Sequence, residues 1–154
     1  MKHKLFFIAA AFITIGLISC SDCNQPQRDA FNFYIVNNLN QDIFTADPSL
    51  NKDSVYLAVV KNGVEQPATR SIFTRDVVGP DTLNTFYNSN IPDLNINSDT
   101  QTVILYTPHN RMDALLIITY DEVVKNCGTT LHIGQVKKGS AEQVKVDGYY
   151  KIVL

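Results

Sequence analysis

Two histidines beyond the N-terminal segment have the side chains best suited to proton transfer. His109 stands in the stretch Thr107-Pro108-His109-Asn110-Arg111, and His132 stands in an alternating, strand-like stretch. A histidine that meets a carboxylate and a hydroxyl in space can activate a nucleophile for hydrolysis. The chain has no Gly-x-Ser-x-Gly turn, no Walker-type loop, no dinucleotide-binding glycine motif and no His-x-x-x-His spacing. We therefore predict a protein that is not an enzyme and uses no cofactor, and keep a small hydrolase built on either histidine as a less favoured alternative.

Alternating oxygen-bearing side chains between Asp93 and Asp99 have the spacing of a calcium-binding loop. The stretch departs from the EF-hand pattern because Ser98 stands where a glycine makes the sharp turn. Ile104 stands where a bidentate glutamate belongs. We therefore interpret these residues as a polar connection and predict no metal site.

Aromatic residues offer a third chemistry, since a tyrosine ring and hydroxyl together suit a sugar. The candidates for such a stacking platform are Phe86-Tyr87, Tyr106, Tyr120 and Tyr149-Tyr150. Tyrosine and phenylalanine are equally common in strands and sheet cores. Neighbouring residues on a strand point to opposite faces, so one of Tyr149 and Tyr150 is expected to point outward. Core packing is the favoured interpretation, and a carbohydrate ligand remains the alternative.

The first nineteen residues have the composition of an export signal. Lys2, His3 and Lys4 precede an apolar run from Leu5 to Ile18, which is shorter than the roughly 20 residues of a membrane-spanning helix. The run ends in Leu17-Ile18-Ser19-Cys20, which resembles the lipobox of bacterial lipoproteins. That resemblance implies cleavage before Cys20, lipidation of its sulfur and acylation of its amine. Anchoring becomes stable once more than one acyl chain is present, so Cys20 would hold the protein to a membrane.

The residues after Cys20 bear on the cellular location. In enteric members of the lipoprotein class, an aspartate directly after the cysteine marks retention in the inner membrane, and here Ser21 occupies that place. The resemblance thus implies an outer-membrane lipoprotein. Asp22 is a weak version of the acidic run that accompanies surface display, so the sequence leaves both the periplasmic and the surface side open.

Cys23 and Cys127 form an even pair once Cys20 carries lipid, in a compartment where disulfides persist. A bond between them would close a loop of 104 residues, for which loop entropy gives an upper figure of about 4–5 kcal/mol. The alternative is two free thiols. We predict the bond as a candidate, because sequence alone does not show its geometry.

Composition excludes one class of partner. Removal of residues 1–19 takes away two lysines and leaves eleven lysines and arginines against fifteen aspartates and glutamates. Nucleic-acid binding requires basic residues clustered on one face, and Lys137-Lys138 is the only adjacent basic pair after residue 19. We predict no nucleic-acid partner.

Past the signal, the chain reads as short strands separated by turn residues. Two turns carry the hairpin dipeptides Asn62-Gly63 and Asp147-Gly148. No stretch shows the apolar stripe of an amphipathic helix. The predicted strands are Phe31–Val36, Ser54–Lys61, Val64–Gln66, Ser71–Thr74, Thr82–Tyr87, Thr102–Tyr106, Leu115–Tyr120, Thr130–Val136 and Val144–Leu154.

This pattern predicts an all-β domain, an antiparallel β-sandwich of immunoglobulin-like or transthyretin-like type, with a small β-barrel as the alternative. The predicted organisation is a signal peptide over residues 1–19, a lipidated cysteine with a flexible tether over 20–29, and one domain over 30–154. Leu115–Tyr120 is expected to be a central strand covered on both faces and paired with Thr102–Tyr106. The predicted core contains Phe33, Ile35, Leu57, Val59, Ile104, Leu116 and Ile118.

Three functional classes follow. The favoured one is a non-catalytic envelope lipoprotein domain that binds a protein or carbohydrate or supports an assembly. The second is a structural subunit that pairs with another protein through an edge strand. The hydrolase is the third.

Overall fold

The computed structural model of the chain describes residues 27–89, 100–108, 114–125 and 128–154. The regular elements of these ranges include one four-residue helix, α1 (Ile43–Ala46), and a 3-10 turn (Lys52–Ser54). The strands are β1 (Gln27–Arg28), β2 (Phe31–Val36), β3 (Tyr56–Lys61), β4 (Val64–Glu65), β5 (Thr69–Arg70), β6 (Ile72–Val78), β7 (Asp81–Asn88), β8 (Thr100–Tyr106), β9 (Ala114–Lys125), β10 (Gly128–Lys138), β11 (Ala141–Glu142), β12 (Lys145–Val146) and β13 (Tyr149–Val153).

The strands form two sheets. Sheet A has eight strands in the order β1-β10-β9-β8-β3-β4, with β11 added to β10 and β5 added to β3. Sheet B has five strands in the order β12-β13-β2-β7-β6. Two pairs, β1 with β10 and β13 with β2, are parallel, and the other pairs are antiparallel. The sheets pack face to face as an all-β sandwich, which confirms the predicted fold class, and the described strands do not close into the alternative barrel.

The interior between the sheets is apolar and strongly aromatic. Phe31 stacks on Phe33, and Phe33 stacks on Phe86, with ring centroids 4.9 and 5.5 Å apart. Strands of both sheets contribute to this core. All seven residues predicted to be buried are buried, namely Phe33, Ile35, Leu57, Val59, Ile104, Leu116 and Ile118.

Turn chemistry explains two hairpins. Asn62 and Gly63 have φ of 52° and 76°, and they join β3 to β4 with Lys61 opposite Val64. Asp147 and Gly148 have φ of 47° and 88° and join β12 to β13. These positive φ angles are the ones that Asn, Asp and Gly adopt most readily, so both predicted turns are confirmed.

Strand β9 lies at the middle of sheet A between β8 and β10, as predicted, and its pairing with β8 sets Ile104 opposite Leu115. The expectation that β9 is covered on both faces is wrong. Leu116 and Ile118 are fully buried, whereas Leu115 on the other face is 48% exposed. The nearly continuous apolar run therefore reflects one core face and one apolar outer face, a distinction that residue type alone does not make.

Two further boundaries differ from the sequence prediction. Strand pairing includes Gln27, three residues before the predicted start of the domain, because β1 runs parallel to β10 with Gln27 opposite Thr130. Helix α1 follows Asp42, whose carboxylate accepts hydrogen bonds from the backbone N–H groups of Phe44 and Thr45. An aspartate cap of this kind starts a helix too short for periodicity to predict. No helix in the described ranges has the length and apolarity that crossing a membrane requires.

Candidate functional site

Several predicted site residues lie outside the described residues. These are Cys20, Cys23, Cys127, His109 and the stretch from Asp93 to Asp99. Lipidation, the disulfide and the interpretation of the polar stretch therefore stay predictions.

His132 is described, and it has an acidic partner. Its Nδ1 lies 3.0 Å from Oδ2 of Asp29, and the two side chains are 41% and 39% exposed. Asp121 stands opposite His132 in the β9–β10 register, and its carboxylate fills the space that a side chain at Gly134 would need. The His132–Asp29 pair is partly open to solvent. In this position it fastens the segment after β1 to β10.

The predicted aromatic platform is divided among three places. Phe86 and Tyr150 are buried in the core. On sheet A, the Tyr106 hydroxyl donates to Glu65 and the Tyr120 hydroxyl donates to Gln101. Tyr87 and Tyr149 belong to sheet B and alternate with the buried Phe86 and Tyr150, so they lie on its outer face. Only these last two share an accessible face.

A polar cluster holds the outer face of sheet B together. Oδ2 of Asp76 accepts hydrogen bonds from the hydroxyls of Thr85 at 2.5 Å, Thr74 at 2.7 Å and Tyr149 at 3.0 Å. The hydrogen bonds from Thr85, then Thr74 and then Tyr149, lower the pKa of Asp76, although partial burial opposes them. Burial and the neighbouring Asp76 raise the pKa of the Tyr149 hydroxyl. The cluster joins β6 to β13 across the whole sheet.

A second contact fixes the tip of the β6–β7 hairpin. The backbone N–H of Gly79 donates to Oδ2 of Asp147 at 2.7 Å, which ties this tip to the β12–β13 turn. Beneath the two contacts lies a small apolar cluster of Tyr34, Val36 and Val78, each at most 5% exposed. Strand β6 is therefore held at its side chains and its tip, although only one side of its backbone is paired.

Strand β6 is an open sheet edge. It pairs with β7 on one side, and in the described chain no strand pairs with its other side. Two of its apolar side chains are accessible, with Ile72 60% and Val77 69% exposed. Unpaired strand edges with accessible apolar side chains can accept a strand from another protein.

The hairpin geometry identifies the backbone groups that face outward. Val78 and Asp81 flank the two-residue turn, so they exchange backbone hydrogen bonds, and such pairs alternate along an antiparallel ladder. The N–H and C=O groups of Phe73, Arg75 and Val77 then point away from β7. Ser71 fits this alternation, because its N–H donates to the carbonyl of Val55, outside sheet B.

The 3-10 turn partly covers the beginning of this edge. The Lys52 ammonium lies 4.9 Å from the centre of the Phe73 ring. Arg75 and Val77 are both exposed and lie farther along the strand. Their outward backbone groups form the accessible part of the edge.

Sequence reasoning found only the first half of this edge. The predicted strand stopped at Thr74 because Arg75-Asp76 interrupts the apolar pattern, whereas β6 continues to Val78. The Gly79-Pro80 turn could have marked the true end of the strand. Thr74, Asp76 and Val78 stand at alternate positions before that turn and so share one face. The charge of Asp76 fits a strand here because hydroxyls distant in sequence surround it.

A cleft of about 410 Å³ opens where the chain crosses from sheet A to sheet B. The end of β10, strand β11 and the end of β13 line it, and it contains two lysines, Lys138 and Lys151. Gln143, which is 7% exposed, lies between the two sheets at this point. No group of three or more potential metal ligands occurs in the described ranges.

Comparisons with known proteins return no family model, no curated protein and no solved structure that matches this chain.

Proposed function

We propose that this chain is an outer-membrane lipoprotein, anchored through lipid on Cys20, whose β-sandwich is a non-catalytic assembly module. The module accepts an extended segment of another envelope protein as an added strand beside β6. The observation that carries the proposal is the open edge of β6, with the outward backbone groups of Arg75 and Val77 and the 69% exposed side chain of Val77.

Rigidity supports this role for β6. The hydrogen bonds of Asp76 and the contact between Gly79 and Asp147 hold the strand in an extended form before any partner arrives. Association then costs less conformational entropy, because β6 is already ordered and only the partner strand has to become so. Main-chain hydrogen bonds would supply affinity, and the exposed Ile72 and Val77 would supply side-chain contacts.

The position of the proposed anchor leaves β6 accessible. Seven residues separate Cys20 from Gln27, a reach of at most about 25 Å. The chain enters at β1, on the β10 side of sheet A. Strand β6 contacts the 3-10 turn that precedes β3, on the other side of the sandwich. A membrane beside β1 therefore does not cover the β6 edge.

Site-specific photo-cross-linking on intact cells tests the assembly role. A photoreactive residue at Val77 is compared with one at Val64, which is 63% exposed but lies on the two-residue strand β4. We expect a discrete adduct from position 77 that Arg75→Pro abolishes, because proline removes an outward N–H of the edge. Equal adducts from both positions, or an adduct that survives Arg75→Pro, would overturn the proposal. Light scattering of the purified chain then tells self-pairing from a different partner.

Mass spectrometry tests the anchor. The wild-type protein should begin at Cys20 with acyl chains attached, and Cys20→Ala should retain residues 1–19 and carry no lipid. Cys23→Ala is the matched control and should be lipidated normally. An unmodified Cys20 in the wild-type protein would refute the lipoprotein assignment while leaving the cross-linking result intact.

The outer face of sheet B supports a second candidate, carbohydrate binding. Tyr87 is 38% exposed, and the register sets it between Asn32 on β2 and Ile72 on β6. An accessible ring beside an amide has the donors and apolar surface that a sugar requires. Glycan-array binding that Tyr87→Ala removes would support this role, and binding unaffected by that change would refute it.

A further inference from the structure

The cleft at the crossing from sheet A to sheet B has a chemistry that neither the β6 edge nor the proposed anchor uses. Its walls come from the end of β10, from β11 and from the end of β13, with Asn38 beside them. Its volume of about 410 Å³ lies within the range of small-molecule sites, which is about 300–1,000 Å³.

Two ammonium groups belong to this cleft. Nζ of Lys138 donates one hydrogen bond of 2.5 Å to the carbonyl of Val153, and its other two N–H groups have no acceptor among the described residues. The Lys151 side chain has no hydrogen-bond or ion-pair partner in the part of the chain that the structure describes. Both lysines are half-buried, so each has a side chain partly held against the walls of the cleft.

One carboxylate, that of Glu142, also lines the cleft. Lys137, its partner in the β10–β11 register, does not line the cleft. The cleft therefore carries two cations against one anion.

The remaining walls are preformed and partly apolar. The buried amide of Gln143 donates to the carbonyl of Ala141 and accepts from the N–H of Val153, so its position is fixed. Val144 and Val153 contribute methyl groups, and Val144 is 62% exposed. A ligand here would meet both charged and apolar side chains.

We propose that this cleft binds a small amphiphilic anion whose carboxylate or phosphate lies between Lys138 and Lys151 and whose apolar part lies along Val144 and Val153. Each ammonium gives the anion a charge-assisted hydrogen bond, which is stronger than a neutral one. Binding at this site does not depend on lipidation or on the β6 edge.

The cleft lies far along β10 from strand β1, which decides how an anchored chain would present it. This consequence rests on the proposed anchor. Strand β1 pairs with β10 at Thr130 and Leu131, whereas the cleft lies at Lys138, the other end of β10. Seven residues of strand separate Leu131 from Lys138, about 23 Å at 3.3 Å per residue. A chain anchored at Cys20 would thus present the cleft on the end away from its point of entry.

The test is a nuclear magnetic resonance titration of the purified mature chain in small nanodiscs with butyrate, butyl phosphate and butanol. We expect saturable shifts of the backbone amides of Lys138, Lys151 and Val153 with one or both anions and none with butanol. The tighter anion identifies the headgroup chemistry. Shifts with butanol alone, or no saturable shift with either anion, would overturn the proposal.

Variants separate this site from general attraction to a basic surface. Lys151→Met should weaken binding at least tenfold without unfolding the chain, since Lys151 has no side-chain partner among the described residues to lose. Lys138→Met should do the same, with its spectrum checked because it also loses the bond to Val153. Lys137→Met is the matched control and should leave the affinity unchanged. Equal weakening by Lys137→Met and Lys151→Met would refute the site.

Discussion

Both edges of sheet A and one edge of sheet B end in two-residue strands, whereas the other edge of sheet B is the seven-residue strand β6. On sheet A, β1 and β11 each pair with only two residues of β10, and the register of β10 with β9 shifts between Ile133 and Gln135. Two more two-residue strands, β4 and β5, cover the ends of β3. Short strands and bulges are the devices that prevent unwanted edge pairing. Their concentration on sheet A makes the bare edge of β6 a specific feature, which is why we assign binding to it.

The largest expected effect is on thermal stability, and it concerns the β1 edge of sheet A. Cys23 lies four residues before Gln27, and Cys127 lies three residues before Thr130, the register partner of Gln27. A disulfide between them would lock the β1 edge of sheet A. Reductant should then lower the melting temperature, with about 4–5 kcal/mol as the upper figure for a loop of this length. Circular dichroism measures the shift, and ready alkylation of both thiols without reductant would exclude the bond.

Proline substitutions test the assignment of the open side of β6. Thr74→Pro removes an N–H that pairs with β7 and should cost about 2 kcal/mol or more of the free energy of unfolding. Arg75→Pro removes an outward N–H and should cost less than about 1 kcal/mol. Urea unfolding measures both, and Thr74→Val corrects for the lost hydroxyl. A larger cost at Arg75 than at Thr74 would show that the opposite set of backbone groups faces outward.

Acid should weaken the support of β6. Hydrogen bonds from Thr85 and Thr74 hold the pKa of Asp76 below its ordinary 3.8. Its contribution to stability is therefore complete above the unfolded pKa and disappears as pH falls through the lower folded pKa. Asp76 is only partly buried, so solvent limits the contribution to about 1 kcal/mol. Urea unfolding should show Asp76→Asn less stable than wild type at about pH 7, and the difference should shrink as the pH falls from about 7 toward about 2. A constant difference across this range would contradict the role of the carboxylate.

The smallest effect on stability is expected from substitutions to lysine on the edge strands β6 and β4. Val77→Lys and Val64→Lys should each change the free energy of unfolding by less than about 0.5 kcal/mol, since both side chains are mostly exposed. Val77→Lys alone should block strand addition, because a charge on an edge opposes it. Co-isolation of the partner from outer membranes measures this, and loss of the partner in a Val64→Lys chain as well would assign the contact to a general surface effect.

Much of the fold was accessible from sequence because it depends on local patterns. Alternation in Phe31–Val36 identified β2 and its core residues. The dipeptides Asn62-Gly63 and Asp147-Gly148 identified two hairpins, since their backbone angles depend on the residues themselves. These signals lie within a few positions of one another, so one sequence suffices to detect them.

The features that sequence did not predict depend on distant contacts. Asp76 is accommodated by Tyr149, 73 positions away, so its charge looked like the end of a strand. The outer face of β9 is exposed because no element described in the structure packs on Leu115 as the core packs on Leu116. The cleft with Lys138 and Lys151 exists only once β10 and β13 lie in adjacent sheets. No local pattern predicts such arrangements.

Hydrogen exchange of β6 in its native membrane tests the central claim most directly. Mass spectrometry would compare the peptide containing residues 72–78 in isolated outer membranes with the same peptide in the purified chain. The peptide containing residues 64–70, from the closed edge of sheet A, is the internal reference. The account predicts that residues 72–78 exchange more slowly in the membrane, because a partner strand bonds the N–H groups of Arg75 and Val77, while the reference is unchanged. Equal exchange of residues 72–78 in the two samples would contradict the account.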